Sequence, residues 1–340
     1  MPAQPSRPVV ESLPEFHFRK PVRGSLVWWL RFLGVGAFLV LLLRLPKSQQ
    51  VQFAHLDLRW LGFCMLLTVL MLLLESLIWQ WLLSTQRIRH PYPKTLLAYL
   101  ASQYLGLVTP GHVGEFLAAG YISVNTGITF GYALSSIVMK KVLAWVTILS
   151  FGLWGLPLIA QAPFRQGVWT LVVWIAVTVI ALSGGISVWV VSLRRLARKW
   201  ESLSPWQVDM AEFWAGMRQL VSLRLLIPLG LSAVTFSLVF LQLDAVLHAM
   251  GIALPFAVVA KMMALSRVAA RLIPFSIAGF GSKDTALIFL LAQQQIDVVA
   301  GIAATLLLLM CSHVVMLLLS GVAWWINPLV VRRAVRGPHP

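Results

Sequence analysis

Six apolar runs of membrane-spanning length decide what this chain can fold into. The runs lie near 25–43, 61–83, 132–159, 168–192, 223–247 and 297–325. A helix needs about 20 apolar residues to cross about 30 Å of hydrocarbon. Only 11% of the 340 residues are charged and 59% are hydrophobic, whereas soluble domains carry more than twice that share of charge. The sequence therefore predicts an all-α, polytopic membrane protein with about six full spans.

Four further segments are too short or too interrupted to cross the bilayer comfortably. They lie near 95–108, 116–124, 256–273 and 284–294. We expect them to form two re-entrant hairpins, whose non-helical breaks must be buried in protein or face water because lipid cannot hydrogen-bond them. In the alternative interpretation each hairpin is two ordinary spans, which gives ten crossings, and hydropathy alone does not separate the two.

The two hairpins repeat one pattern of prolines and glycines. The repeat units lie at about 91–159 and 255–325. Pro91 and Pro110 enclose the same length of chain as Pro255 and Pro274. In each unit a glycine-containing break follows the second proline, and an acidic residue and a long apolar helix come next. Transporters build a site at the bilayer midplane from such pairs of broken helices.

Basic residues predict which side of the membrane each loop faces, since Lys- and Arg-rich loops stay in the cytoplasm. The basic segments are the N-terminal tail 1–24, the loop at 87–94, the segment 193–220 and the C-terminal tail 327–340. With six spans and two re-entrant hairpins all of them face the cytoplasm. Three crossings then separate the hairpins, so the repeats are inverted within a single transmembrane domain, 25–326.

The segment 193–220 interleaves basic and aromatic residues. We expect an amphipathic helix in the cytoplasmic interface, held by aromatic burial and by anionic lipid headgroups; an ordinary cytoplasmic loop is the alternative. The net charge of +16 comes from residues that flank the spans, without any nucleic-acid motif. We therefore expect no nucleic acid partner.

The sequence predicts no cofactor and no metal site. Cys64 and Cys311 both lie in predicted spans and are too few for a zinc site or a disulfide scaffold. A phosphate-binding G-x-x-x-x-G-K-[ST] loop is also missing from the sequence. Any transport would be driven by an ion gradient or by downhill flow.

Charged residues at membrane depth are the candidate functional residues. Placing one there costs about 2.5 to 3.5 kcal/mol, so it normally faces a partner, a cavity or a substrate. Bases outnumber acids around the two breaks. The bases are Lys140, Lys141, Arg267, Arg271 and Lys283, the acids are Glu115 and Asp284, and Glu75 and Asp244 lie deep in other spans. The excess of base suits an anionic ligand, whereas purely structural ion pairs are the alternative.

Individual positions point to a phosphate-like group. Arg267 and Arg271 are spaced i, i+4 and share one helix face, and guanidinium forks suit bidentate phosphate contact. Lys140 and Lys141 diverge by about 100°, so at most one points into a shared cavity, and we favour Lys140. His112, in the first break, is placed to titrate or to donate to phosphate.

Glycines free the backbone where the short helices after each break begin. A helix N-terminus offers unpaired N–H groups and about half a positive charge to an anion, while close helix packing is the other use of such glycines. The predicted substrate-binding residues are Gly111, His112, Gly114, Glu115, Lys140, Arg267, Arg271, Gly279, Gly281, Lys283 and Asp284. No catalytic residue is predicted.

At these breaks the chain resembles the transmembrane region of lysylphosphatidylglycerol synthases and their stand-alone flippase-like relatives. The resemblance rests on Pro110, Gly111, Gly114 and Glu115 and on the second break, 273–284, and covers about residues 20–330. It implies a multi-pass protein of the bacterial inner membrane, with both termini cytoplasmic, that moves a lipid or a lipid-linked headgroup between leaflets.

Two departures limit this transfer. No basic residue follows Glu115 within a few positions, and His112 stands where the family often has arginine, so the aminoacylated headgroup is not carried over. Nothing after Trp325 is long enough to form the aminoacyl-transferase domain of the full synthases, and we do not expect the chain to make lipid.

We therefore expect a flippase-like transporter rather than an enzyme, with a membrane lipid or lipid-linked molecule of anionic or zwitterionic headgroup as its partner. Two alternatives stay open. One is an intramembrane lipid-linked glycosyl or phosphoryl transferase that uses Glu115 and Asp284 as paired carboxylates. The other is a non-transporting scaffold for a lipid-modifying enzyme, with 193–220 recruiting a partner. The sequence does not fix the oligomeric state, and a homo-oligomer is compatible with it.

Overall fold

The structure is a computed structural model that describes residues 56–108, 114–160, 204–272, 276–277 and 280–326. The predicted spans 25–43 and 168–192 and both predicted tails lie outside these residues. Where the chain is described it is helical, apart from short connections and one antiparallel pairing of two-residue strands. The predicted helical fold class is confirmed.

The helices follow one another in this order along the described chain. They are α1 (Leu58–Thr85), α2 (Tyr92–Val108), α3 (Leu117–Thr126), α4 (Phe130–Ala160), α5 (Ser204–Leu220), the 3-10 turn Leu223–Leu225, α6 (Leu226–Ala249), α7 (Phe256–Leu272), the strands β1 (Ser276–Ile277) and β2 (Phe280–Gly281), α8 (Ser282–Gln293), α9 (Val298–Leu309), the π-helical turn Met310–Val314 and α10 (Val315–Ile326).

Within the described residues, four helical stretches are long and apolar enough to cross a membrane. They are Leu58–Thr85, Phe130–Leu158, Leu223–Ala249 and Val298–Ile326. Each coincides with one predicted span, and the last runs from α9 to α10 through the π-helical turn without a break. The chain is therefore a multi-pass membrane protein.

The predicted hairpins consist of short helices. At 1.5 Å per residue, the 17 residues of α2 and of α7 extend about 25 Å, whereas α3 with 10 and α8 with 12 extend about 15 and 18 Å. In each unit the second helix falls well short of about 30 Å of hydrocarbon. These lengths agree with re-entrant hairpins, which stay a prediction.

The first hairpin starts and ends at the same end of the helix bundle. Gln86, just after α1, donates from Nε2 to Ser135 Oγ of α4 over 2.6 Å, and the Tyr132 hydroxyl donates to the Gln86 carbonyl oxygen over 3.3 Å. Further along, Trp79 Nε1 donates to Ser136 Oγ over 3.0 Å. Helices α1 and α4 are thus antiparallel neighbours, and α2 and α3 lie between the end of one and the start of the other.

The second hairpin starts at the opposite end. Helix α6 ends beside the start of α1, where Asp57 N donates to the Ala249 carbonyl oxygen over 3.1 Å. Helix α7 then runs antiparallel to α4 and packs closely on two of its glycines. A Cβ on Gly152 would lie 2.4 Å from Val268 Cγ2, and one on Gly155 would lie 3.0 Å from Leu265 Cγ. Small residues permit this approach because lipid supplies little hydrophobic drive for helix association.

Part of the predicted interfacial segment is helical, since α5 covers Ser204–Leu220, and 193–203 lie outside the described residues. Helix α5 packs against the first turns of α4. Gly131 lies directly on the backbone of Asp209, and a Cβ on Gly216 would lie 2.3 Å from Ser135 Oγ. Protein contacts with α4 therefore hold this helix, in addition to any contact with lipid.

Candidate functional site between the broken helices

Two glycines close the first break and position Glu115. A Cβ on Gly114 would lie 2.4 Å from the backbone carbon and oxygen of Leu105, and one on Gly106 would lie 2.7 Å from Glu115 Cγ. No other residue type fits either place without displacing its neighbour. The end of α2 and the turn before α3 therefore come into contact, and the Glu115 side chain is directed to α4.

Glu115 forms an ion pair with α4. Its Oε2 lies 2.7 Å from Lys141 Nζ, with the Glu115 side chain 17% and the Lys141 side chain 37% exposed. The ammonium group also lies 5.5 Å from the centroid of the Phe116 ring. The contact connects the first break to the middle of a membrane-spanning helix.

Lys140 points to a different acid. Its Nζ lies 2.8 Å from Glu75 Oε2 on α1 and 3.9 Å from the centroid of the Tyr99 ring on α2. An ammonium group over an aromatic face is stabilised by the ring quadrupole. The adjacent lysines thus diverge, and each neutralises one carboxylate.

The second break brings two arginines to the same part of α4. The Arg271 guanidinium carbon lies 5.6 Å from the centroid of the Trp145 ring. Arg267, one turn earlier on α7, is partly buried, and its Nε is buried without a hydrogen-bond partner among the described residues. Arg271 as a whole residue is exposed.

Lys283 and Asp284 lie in the first turn of α8. Lys283 Nζ is 3.4 Å from Asp284 Oδ1, and the side chains are 13% and 4% exposed. A carboxylate in this place is also stabilised by the helix dipole. The Asp284 charge acts on Arg267 across the second break.

The acids of the first unit also act on the bases of the second. Glu75 interacts electrostatically with both Arg267 and Arg271, and Glu115 interacts with Arg271. We call the resulting group the charge cluster. Its members are Glu75, Glu115, Asp284, Lys140, Lys141, Arg267, Arg271 and Lys283. Five bases against three acids leave the cluster positive.

The structure brings most of the predicted site residues together. Glu115, Lys140, Arg267, Arg271, Lys283 and Asp284 lie in the charge cluster, Gly114 supports Glu115, and Gly281 directly precedes α8. Gly111, His112 and Gly279 lie outside the described residues. Glu75 and Lys141 are members that the predicted set leaves out. The signal for Glu75 was its charge within a span, whereas its contact with Lys140 has no sequence signature. Asp244 lies elsewhere, 3.5 Å from His248.

An apolar cavity of about 550 Å³ lies between α4, α6 and α7. Phe151, Trp154, Ala233, Phe240 and Phe256 are among the residues that line it. Its lining also includes Val146, which follows Trp145 in the sequence, so the cavity begins at the level of α4 where Arg271 contacts Trp145.

The fold and this site define a multi-pass helical membrane protein in which charged side chains gather between broken helices. Residues 25–320 match the model of the family described as "Lysylphosphatidylglycerol synthase TM region". The chain belongs to this family, as its resemblance predicts, and the membership indicates a function related to membrane lipids. No curated protein and no solved structure matches the chain.

Proposed function

We propose that the protein is a flippase-like transporter that moves a lipid or a lipid-linked headgroup between the leaflets of the inner membrane, without catalysing a reaction. The charge cluster carries this proposal. Ionisable residues at membrane depth are rare and mark substrate or ion pathways. Because bases exceed acids here, an anionic or zwitterionic headgroup complements the cluster, and both termini would face the cytoplasm.

In this proposal the arginines bind the headgroup. Glu75 and Glu115 already hold the two lysines at 2.8 and 2.7 Å, whereas the Arg267 Nε has no hydrogen-bond partner among the described residues. Arg271 is exposed and shares a helix face with Arg267. A phosphate group between them would receive bidentate, charge-assisted hydrogen bonds.

The apolar cavity between α4, α6 and α7 would hold an acyl chain of the same lipid. It begins at the same level of α4 as Trp145, which contacts Arg271, and one amphiphile would place its headgroup on the arginines and a chain along α4. Thr147 and Ser150 are polar lining residues, but Thr147 already donates to the Leu143 carbonyl oxygen, as Ser150 does to that of Val146. The cavity therefore offers mainly apolar contact.

Alternating access would come from movement of one broken unit against the other. The close antiparallel contacts of α4 with α1 and with α7 support units that enter from opposite sides of the membrane. The pairs Glu75–Lys140 and Glu115–Lys141 join the first unit and its neighbour α1 to α4. Rearrangement of these pairs would open or close the path, with an ion gradient or downhill flow as the driving force.

Lipid scrambling in proteoliposomes tests the proposal. Headgroup-labelled phosphatidylglycerol, an aminoacylated lipid and a polyprenyl-linked lipid would be compared for the wild type, Arg271→Ala and Glu115→Gln. We expect both variants to scramble lipid about tenfold or more slowly than the wild type, because each loses one charge-assisted hydrogen bond. Arg224→Ala removes an exposed arginine outside the charge cluster and is the matched control, expected to transport normally.

The same liposomes separate the competing functions. A chemically altered headgroup, detected by mass spectrometry, would favour the intramembrane glycosyl or phosphoryl transferase. Folded protein that moves no lipid would favour the scaffold. Normal transport by both cluster variants would remove the site assignment.

A further inference from the structure

A second charged space lies at the end of the helix bundle, in the loop between α1 and α2. A cavity of about 630 Å³ opens there, and its lining includes Gln80, Arg87, Arg89 and His90. No member of the charge cluster lines it. The loop directly follows the membrane-spanning helix α1, which places the cavity near the depth of lipid headgroups.

No acidic side chain is among the described residues that line this cavity. Arg87 and Arg89 are exposed and form no salt bridge with a described acid. The sequence contains no Asp or Glu between Glu75 and Glu115. Lys94, at the start of α2, adds to the positive field at His90. An anion is the missing complement.

Hydrogen bonds fix the tautomer of His90. Gln80 Nε2 donates to the His90 carbonyl oxygen over 2.8 Å, which leaves Gln80 Oε1 to accept from the Thr95 hydroxyl. Thr95 Oγ1 therefore accepts from His90 Nδ1–H over 2.8 Å. In the neutral ring Nε2 is then an acceptor, and a protonated ring would present a second N–H there.

His90 Nε2 is buried, and no described residue is within hydrogen-bond distance of it. The whole residue is only 7% exposed. A buried polar atom without a partner is costly, and a phosphate oxygen in the cavity would accept from the protonated ring. The groups that face the imidazole are Lys94 on α2, Gln80 on α1 and the Tyr121 ring on α3, whose centroid is 6.2 Å away.

The backbone of Arg87 supports a functional role for its side chain. Arg87 has φ 60° and ends α1 in the left-handed region, where helices usually place glycine. Its N–H donates to the Ser84 carbonyl oxygen over 2.9 Å, and Ile88 N donates to that of Leu83 over 2.9 Å. A glycine would adopt this turn more easily but would bring no guanidinium to the cavity.

The helix N-terminus is not what binds the anion. Pro91 and Pro93 stand at the start of α2, and proline has no N–H. Lys94 N and Thr95 N already donate to the Pro91 carbonyl oxygen, so we assign the donors to side chains.

We propose that this cavity binds a phosphate group, with Arg87 and Arg89 as its donors and with His90 as a third donor when its ring is protonated. The phosphate would belong either to the headgroup of an anionic lipid at the membrane surface or to a free phosphate. The site is separate from the charge cluster and does not depend on transport.

The test is titration of the full-length protein in a neutral detergent. One arm uses inorganic phosphate, another uses short-chain phosphatidylglycerol, and chloride at equal ionic strength is the reference. The dissociation constant is measured by calorimetry, and the Tm is followed in parallel. We expect saturable binding in at least one arm; binding of the lipid alone identifies a headgroup site, and binding of inorganic phosphate identifies a free-phosphate site.

Three variants make the test specific. Arg87→Gly combined with Arg89→Gln should weaken binding about tenfold or more, and Arg87→Gly alone should weaken it without lowering the Tm, because glycine suits the turn. His90→Gln should weaken binding at a pH low enough to protonate the ring, and should change it less where the ring is neutral. The control, Arg218→Gln with Arg224→Gln, removes two exposed arginines elsewhere and should bind normally. Equal weakening in the control, or no saturable binding in either arm, would overturn the proposal.

Discussion

Lys141 Nζ lies 2.7 Å from Glu115 Oε2, so a carboxylate of the first helix break is held by the middle of α4. The neighbouring Lys140 makes its own pair with Glu75. Neither pair is fully buried, and in a membrane interior each charge without its partner is costly. The two ion pairs therefore hold the first broken unit against α4. Because both pairs are partly exposed, their charged groups would be able to exchange partners when the unit moves.

We expect the Glu115–Lys141 pair to be coupled in stability. Glu115→Gln removes the charge that pairs with Lys141, and Lys141→Met removes the ammonium group that lies 2.7 Å from Glu115, so each single variant should have a lower Tm. The double variant should recover part of the loss, with a coupling free energy of about 1 kcal/mol because Lys141 is partly exposed. Thermal unfolding of the four proteins in detergent measures it; purely additive losses would show that the pair is not coupled.

Gly114→Ala should destabilise the protein. Its Cβ would lie 2.4 Å from the Leu105 backbone, and backbone atoms have no rotamer with which to avoid it, so the expected loss is about 1 to 3 kcal/mol. Gly62→Ala is the control, because nothing lies within 4 Å of its Cβ. A helical Gly→Ala change in open space is neutral or stabilising by up to about 1 kcal/mol. Similar unfolding curves for the two variants would contradict the close contact.

The helices themselves were predictable from the sequence, whereas their contacts were not. Leu58–Thr85 and Phe130–Ala160 follow from apolar length, and α2 and α7 follow from their flanking prolines. The partner of Lys140 was not predictable, because helix periodicity gives the relative directions of Lys140 and Lys141 but not the rotation of α4 against α1. The sequence shows that Glu75 is a charge within a span, but it does not give the rotation of α4 against α1 and therefore does not identify Lys140 as its partner.

The contact between α5 and α4 shows the same limit. Basic and aromatic composition predicts an amphipathic helix, which is observed over Ser204–Leu220. Its docking depends on Gly131 and Gly216, each of which lacks the side chain that would block the approach. The two glycines indicate in the sequence that another segment packs closely at these positions. They do not indicate which segment it is.

Filling the apolar cavity should reduce transport. Ala233 lines the cavity and Val234 does not, while Val234 is 51% exposed. Ala233→Trp should therefore slow lipid scrambling by excluding an acyl chain, and Val234→Trp should leave the rate nearly unchanged. Scrambling assays on both variants, at matched amounts of folded protein, decide the point. Equal rates would indicate that the acyl chain takes another route.

His90 should make stability dependent on pH. Burial, and then the charge of Lys94, lower the pKa of His90 below its ordinary value of about 6.5. Above that value the ring is neutral in both the folded and the unfolded chain. As the pH falls through 6.5 the unfolded chain takes up the proton first, so stability decreases and levels off once the folded form is protonated too.

The Tm in phosphate-free buffer between pH 8 and pH 5 measures this effect. The wild type should lose more of its Tm over this interval than His90→Gln, which has no titrating ring. Parallel curves for the two proteins would mean that His90 is not perturbed in the folded state.

The two hairpins should be anchored at opposite faces of the membrane. Asn125 is exposed in the last turn of α3, shortly before α4 begins, and Ala253 is exposed in the connection before α7. Helix α4 and the predicted spans 168–192 and 223–247 separate the two positions, and an odd number of crossings places them on opposite sides.

Single cysteines at Asn125 and Ala253, in a background with Cys64→Ala and Cys311→Ala, should react with an impermeant maleimide from opposite sides of oriented vesicles. Asn125→Cys should react from the cytoplasmic side, because the first hairpin starts at the basic loop 87–94 and, as a re-entrant hairpin, returns to the same side. Labelling of both positions from one side would rule out inverted units and with them the rocking mechanism, while leaving the phosphate cavity at Arg87 unaffected.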